Sequence, residues 1–214
     1  MNKRDRCRSL LAVLLALPAL QASAQVSPAF EKVLASPSEQ QMVLAAARRS
    51  AVVEENSCAD GRFVIASKVA IYEAPVFDQA GLLRSGVWKQ VVEYTGCNSP
   101  RSLNVLVTVA QNQRPNARPL FPGDTMADPK LQSDVFLGGA MRLMVDRWRD
   151  PACRNVYVVD TQVQKVEPPI GAGARTPAWS ETWTIAACER RQKVRVQFGP
   201  QASGDGVTYV ISAA

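Results

Sequence analysis

The sequence predicts an α+β fold: a helix-strand-strand-strand unit that occurs twice, forming antiparallel sheet with helices on one face. Three observations predict it. Trp88 stands nine residues before Cys97, and Trp179 stands nine before Cys188. Six residues after each of these cysteines an alternating apolar run begins, Leu103-Val105-Val107 in one case and Val194-Val196-Phe198 in the other. Finally, Cys58 precedes Cys97 by 39 residues and Cys153 precedes Cys188 by 35.

The elements follow in order. Residues 1–24 have the three parts of a Sec-type export signal. Lys3, Arg4, Arg6 and Arg8 supply a positive start, Leu10 to Leu20 an apolar stretch, and Ala22-Ser23-Ala24 a small-residue cleavage site. That stretch is shorter than the roughly 20 residues needed to span a bilayer. A mature chain is therefore expected to begin near Ala24-Gln25, to carry no transmembrane segment, and to be periplasmic or secreted.

The first unit occupies residues 25–110. Ser36-Pro37-Ser38-Glu39 reads as a helix start, with Ser36 as N-cap, Pro37 in the first turn and Glu39 closing a capping box. Strands follow from period-two alternation, one at Phe63 to Ile71 and one at Trp88 to Tyr94. Residues 111–128 form a Pro-rich connection, suited to a linker or to a crossover. The second unit, 129–214, repeats the helix start at Asp128-Pro129. A helix is expected to Trp148, with Gly138-Gly139 marking close packing or a kink. Strands are expected at Val156 to Val163, Trp179 to Ile185, Val194 to Phe198 and, after the turn Gly204-Asp205-Gly206, at Val207 to Ile211.

An even set of cysteines in an exported chain reads as disulfides. If the first two strands of each unit form a hairpin, the residues flanking its open end meet. Cys58 would then pair with Cys97 and Cys153 with Cys188, each bridge worth about 3.5–4 kcal/mol by loop-closure entropy. Pairing between the equivalent cysteines of the two units is the alternative. The chain has no histidine, so neither a zinc site nor any other metal or cofactor is expected.

Composition narrows the function. The whole chain carries +6, but the signal holds four of its 25 basic residues and one of its 19 acidic ones, leaving +3. With no basic run longer than Arg190-Arg191, nucleic acid is not an expected partner. Without histidine there is no Ser-His-Asp or Cys-His site, and no Ser-x-x-Lys motif, nucleophile elbow or phosphate loop is present. A carboxylate pair is the remaining general chemistry. Its candidates are Glu93, Asp124, Asp160 and above all Glu181, held between Trp179 and Trp183 on one strand face.

Binding has more to work with. Long connections are expected at Glu73 to Gly86, Glu167 to Pro177 and Gln111 to Pro129, and loops on a rigid frame carry function more often than strands do. Arg114, Arg118, Arg175 and Trp179 are the candidate contact residues. The run from Trp179-x-Glu181-x-Trp183 to Cys188 resembles a group of exported proteobacterial proteins of unknown function, mainly over residues 86–205. That resemblance implies a secreted fold and no activity. The expected function is a non-catalytic binding protein, such as an inhibitor, immunity protein or envelope adaptor, whose partner is an envelope or secreted protein. A structural component of an envelope assembly and a carboxylate-based hydrolase of envelope sugars are the alternatives.

Overall fold

A computed structural model describes residues 27–54, 61–96, 101–111, 113–140, 155–169, 176–188, 190–201 and 206–214. The fold is mostly β, with two antiparallel four-stranded sheets and few helices. This corrects the α+β balance expected from sequence: the repeated unit was read with three strands, a fourth being expected only at the end of the second unit, whereas each sheet has four. Sheet one has the order β1 (Arg62–Phe77), β2 (Leu83–Thr95), β3 (Arg101–Val109), β4 (Asn116–Pro119). Sheet two repeats that order with β5 (Val156–Glu167), β6 (Ala178–Ala187), β7 (Arg190–Pro200) and β8 (Val207–Ala213).

Strand register supports the internal repeat. Trp88 lies opposite Val107 and Trp179 opposite Phe198, while Val92 faces Leu103 and Trp183 faces Val194. On the other side of the same strands, Tyr94 faces Phe63 and Ile185 faces Val158. In sequence, Cys58 stands five residues ahead of Phe63 and Cys153 five ahead of Val158. Cys188 is disulfide-bonded. Cys58, Cys97 and Cys153 fall outside the described residues, and so does the expected pairing. The signal segment and Arg175 do too.

Among the described residues three helices precede sheet one: α1 (Pro28–Leu34), α2 (Pro37–Arg48) and α3 (Ala51–Glu54). Ser27 and Ser36 cap the first two, each accepting a backbone N–H three residues on, and each is followed by proline. Glu39 does not close a capping box. The Ser36 N–H donates to the Val33 carbonyl, which frees the Glu39 side chain to turn into the core. Before sheet two, Asp128 caps α4 (Pro129–Val135), which passes into a π-helical turn at Phe136–Ala140. The rest of the expected helix lies outside the described residues. Gly138 and Gly139 permit the close approach of this turn to β8. A Cβ on Gly138 would sit 2.7 Å from the Tyr209 hydroxyl, and one on Gly139 would sit 2.4 Å from Ile211 Cδ1.

Two cores result. Phe30, Val43, Ala46, Ala47, Val52 and Val53 from the helices bury against Trp88, Val92, Tyr94, Leu103, Val105 and Val107. Phe30 meets the Trp88 ring edge-on, at 5.0 Å between centroids. The second core joins Val135 and Ala140 to Trp179, Trp183, Ile185, Val194, Val196 and Phe198. Tyr157, Val159 and Ala186 of sheet two belong to the first core, so the two units are packed together.

The Pro-rich connection is neither a loose linker nor a simple crossover. It contributes β4, with Pro119 at the end of an edge strand, where a missing N–H is tolerated. It then continues along β3, the N–H groups of Leu120 and Gly123 donating to the carbonyls of Asn104 and Ser102. On its far side Gly123 bridges Thr161 of β5, and the Asp124 N–H donates to the Thr161 carbonyl at 2.7 Å. Gly123 has φ +93°, and a Cβ there would lie 2.2 Å from the Thr161 carbonyl oxygen. Only glycine fits this seam between the sheets.

Candidate functional site

Glu181 lies in the middle of β6, fully buried. Alternation puts it on the same strand face as Trp179 and Trp183, and both indoles turn toward it. Trp179 Nε1 donates to Oε1 at 2.8 Å and Trp183 Nε1 donates to Oε2 at 2.7 Å. From the connection, the Thr125 hydroxyl lies 3.0 Å from Oε1 and 2.8 Å from Oε2, and the Met126 N–H donates to Oε1 at 2.9 Å. Both oxygens are thus saturated by donors, which is how a buried carboxylate is kept. The arrangement joins the connection to β6 and has no opening for a substrate.

Of the other acids considered, Asp124 follows Gly123 and Asp160 lies beside Gly123 across the seam. Glu93 accepts from the Ser102 hydroxyl with both oxygens at 3.1 Å, and Asp160 accepts from Gln162 Nε2 at 2.8 Å. Asp124 is exposed on the connection. Among the described residues, no group of three or more Cys, Asp or Glu side chains could hold a metal ion.

Unit one builds a different polar centre at the equivalent place. Gln90 follows Trp88 as Glu181 follows Trp179, and the acid is supplied by Glu39 of α2. Glu39, Trp88 and Gln90 are all buried, and Glu39 Oε1, Trp88 Nε1 and Gln90 Oε1 have no hydrogen-bond partner among the described residues. Burial pushes the Glu39 carboxyl up to about 7, while the adjacent Trp88 indole pulls the other way without reaching good hydrogen-bond geometry.

Of the sequence-derived binding residues, Arg114, Arg118 and Trp179 are described. Trp179 is core: its ring stacks on Phe198 at 4.5 Å and 11°, and it also borders a hollow with Lys165, Arg195 and Gln197. Arg114 and Arg118 are exposed beside and on β4, and neither lines that hollow. The expected long loop from Glu73 to Gly86 is instead the end of a hairpin. Strands β1 and β2 stay paired to Phe77 and Leu83, leaving a connection of five residues, 78–82. Asp78 fixes that turn by accepting from the N–H groups of Ala80 and Leu82 and pairing with Arg84.

This hairpin runs past sheet one, because β3 ends opposite Gly86. Phe77 and Leu83 pack on the helical core, while Val76 and Leu82 are 52% and 59% exposed. A second concavity lies between the β1 bulge and the connection, on the side of β2 that bears Lys89 and Val91. Sequence reading did not single out Lys89. Its one signal was a lysine between Val87 and Val91 on the strand face away from Trp88. No protein-family model matches the chain, and neither a curated protein nor a solved structure matches it.

Proposed function

We propose that the protein is an exported, periplasmic or secreted, non-catalytic binding protein, and that its partner is another envelope or secreted protein. An inhibitor, an immunity protein or an adaptor all fit this reading. The observation that carries it is the β1–β2 arm. A two-stranded ribbon beyond the third strand of its sheet has little stability of its own. This one keeps Val76 and Leu82 in water at a tip rigidified by Asp78 and Arg84. Apolar side chains held out on a fixed turn favour a contact surface over a passive connection. The saturation of Glu181 removes the best acid for a hydrolase and so adds weight to a non-catalytic role.

The reading includes the disulfides Cys58–Cys97 and Cys153–Cys188 and helices covering one face of each sheet. The matching positions of the four cysteines relative to the two strand registers support the first. The grouping of α1 to α3 with Trp88, Val92 and Tyr94, and not with Lys89 or Val91, supports the second for sheet one. The test is affinity capture from envelope extract with the oxidised chain, a reduced and alkylated control, and Leu82→Lys. A stoichiometric protein retained only by the oxidised wild-type chain is the expected result. Equal retention by Leu82→Lys would sink the arm, and no partner at all would sink the binding role.

One observation favours a structural role in an assembly as the second reading. Strand β8 is one of the two outer strands of sheet two, has no charged residue and keeps an unbroken register with β7. The outer strand β1, by contrast, carries register shifts, Lys68 and Pro75. An uncharged, regular edge is suited to strand addition. Concentration-dependent self-association abolished by Val210→Lys would select this reading, and a strict monomer would reject it.

A further inference from the structure

The concavity beside Lys89 has features that partner binding by the arm does not use. Its volume is about 510 Å³, within the usual range for small-molecule sites. One wall is the β1 bulge. Between Ile65 and Val69 the pairing with β2 slips, from Ile65–Val92 to Val69–Gln90, and this sets Ser67 and Lys68 at the rim. The opposite wall is the connection at Gly123 and Asp124. It is held by the Gly123 and Asp124 backbone bonds and by Asn104, whose Nδ2 donates to the carbonyls of Phe121 and Gly123 at 2.7 and 2.9 Å. Lys89, Val91 and Ser102 complete the lining. The connection wall is therefore fixed by hydrogen bonds to β3 and β5, a preorganised setting for a ligand.

Lys89 is the unusual member. It is half-buried, yet among the described residues its ammonium has no carboxylate within ion-pair distance. The nearest acids by electrostatic effect are Asp124 and Glu181, and Glu181 is already saturated. Burial pushes the lysine down from its ordinary value, and these two acids only partly offset it. A cation kept partly desolvated without a partner is a cost to folding, and such costs collect at binding sites.

We propose that this pocket binds a small organic anion, a carboxylate or a phosphate, whose oxygens accept hydrogen bonds from the Lys89 ammonium. Lys68 at the rim adds long-range attraction. Asp124 on the opposite wall opposes the anion and keeps affinity modest. Organic acids and phosphate esters share this chemistry, so acetate and inorganic phosphate serve as probes.

The experiment is an NMR titration of the oxidised protein with each probe, against sodium chloride at matched ionic strength. Shifts confined to Ser67–Ala70, Lys89–Val91, Ser102 and Gly123–Asp124 are expected, saturable with acetate, phosphate or both. Response to one probe alone identifies the anion class. Lys89→Met should weaken binding about 10-fold or more, as loss of a charge-assisted hydrogen bond does. Its melting temperature without ligand should equal or exceed that of wild type, because the desolvated charge is gone. Asp124→Asn, at an exposed position, should tighten binding roughly 3-fold by removing a repulsive charge. No saturable shift beyond chloride with either probe overturns the proposal. So does unchanged binding in Lys89→Met, or weaker binding in Asp124→Asn.

Discussion

Gln90 and Glu181 occupy corresponding places in the two sheets, each two residues beyond a buried tryptophan on the second strand. Both are nearly inaccessible to solvent, but their surroundings differ. Glu181 gathers two indoles, a hydroxyl and a backbone N–H around its own carboxylate. Among the described residues Gln90 Oε1 has no partner, and the acid near its tryptophan comes from a helix. The same scaffold position thus serves as a closed polar centre in one half and an incomplete one in the other.

Removing the charge at Glu181 should be costly. A Glu181→Gln side chain would turn an amide donor toward one of the donors now satisfied by a carboxylate oxygen. The expected loss is roughly 3 kcal/mol of unfolding free energy. It is read from the midpoint of urea unfolding followed by tryptophan fluorescence, which reports Trp179 and Trp183 directly.

Glu39 should make stability fall as pH rises. Its folded-state pKa, about 7, lies above the ordinary 4.5, so the folded protein holds its proton more tightly than the unfolded chain does. Its contribution is complete below about pH 4.5, is lost progressively as pH climbs through 7, and then levels off. The amount is on the order of 1–2 kcal/mol once solvent screening is allowed for. Glu39→Gln should be more stable than wild type at pH 8 and should flatten the profile. Equal urea midpoints for the two proteins at pH 5 and pH 8 would contradict this assignment.

Two glycines should respond unequally to alanine. At Gly123 the new Cβ meets backbone at 2.2 Å with φ +93°, so neither wall can yield. Gly123→Ala should cost roughly 3 kcal/mol or more and loosen the seam. At Gly139 the obstacle is the flexible end of Ile211, and a loss of about 1 kcal/mol is expected. Thermal melts of the two variants make the comparison.

Blocking the β8 edge should not disturb the fold. Val210 is 62% exposed, so Val210→Lys should leave the unfolding midpoint within about 0.5 kcal/mol of wild type. The same variant should reduce any self-association seen by sedimentation.

Much of the frame was legible in the sequence because it is written locally. The equal Trp-to-Cys spacings pointed to a duplication, and β2–β3 and β6–β7 share one register. Ser36-Pro37 and Asp128-Pro129 marked helix starts that are present. What escaped depends on distant partners. Strand β4 has Pro119 and only four residues, and it forms because β3 offers an open edge and Arg49 Nη2 donates to the Ala117 carbonyl. Glu39 obeys the capping-box pattern, but burial beside Trp88 overrides it. Glu181 was noticed for its two tryptophans, while Thr125 and Met126, which decide its role, lie more than fifty positions away with no local mark. Lys89 became notable only when the bulge and the connection closed around it.

The seam at Gly123 has a bearing on the order of assembly. Synthesis runs from the N-terminus, so β3 and residues 120–125 precede Thr161 and Glu181 in the growing chain. The connection then presents a finished rim: the Asp124 N–H for β5, and the Thr125 hydroxyl with the Met126 N–H for β6. Those donors tie the register of the later half to that of the first. A strand read last is aligned by the one read first, and a slip of one residue would strand a carboxylate in the core.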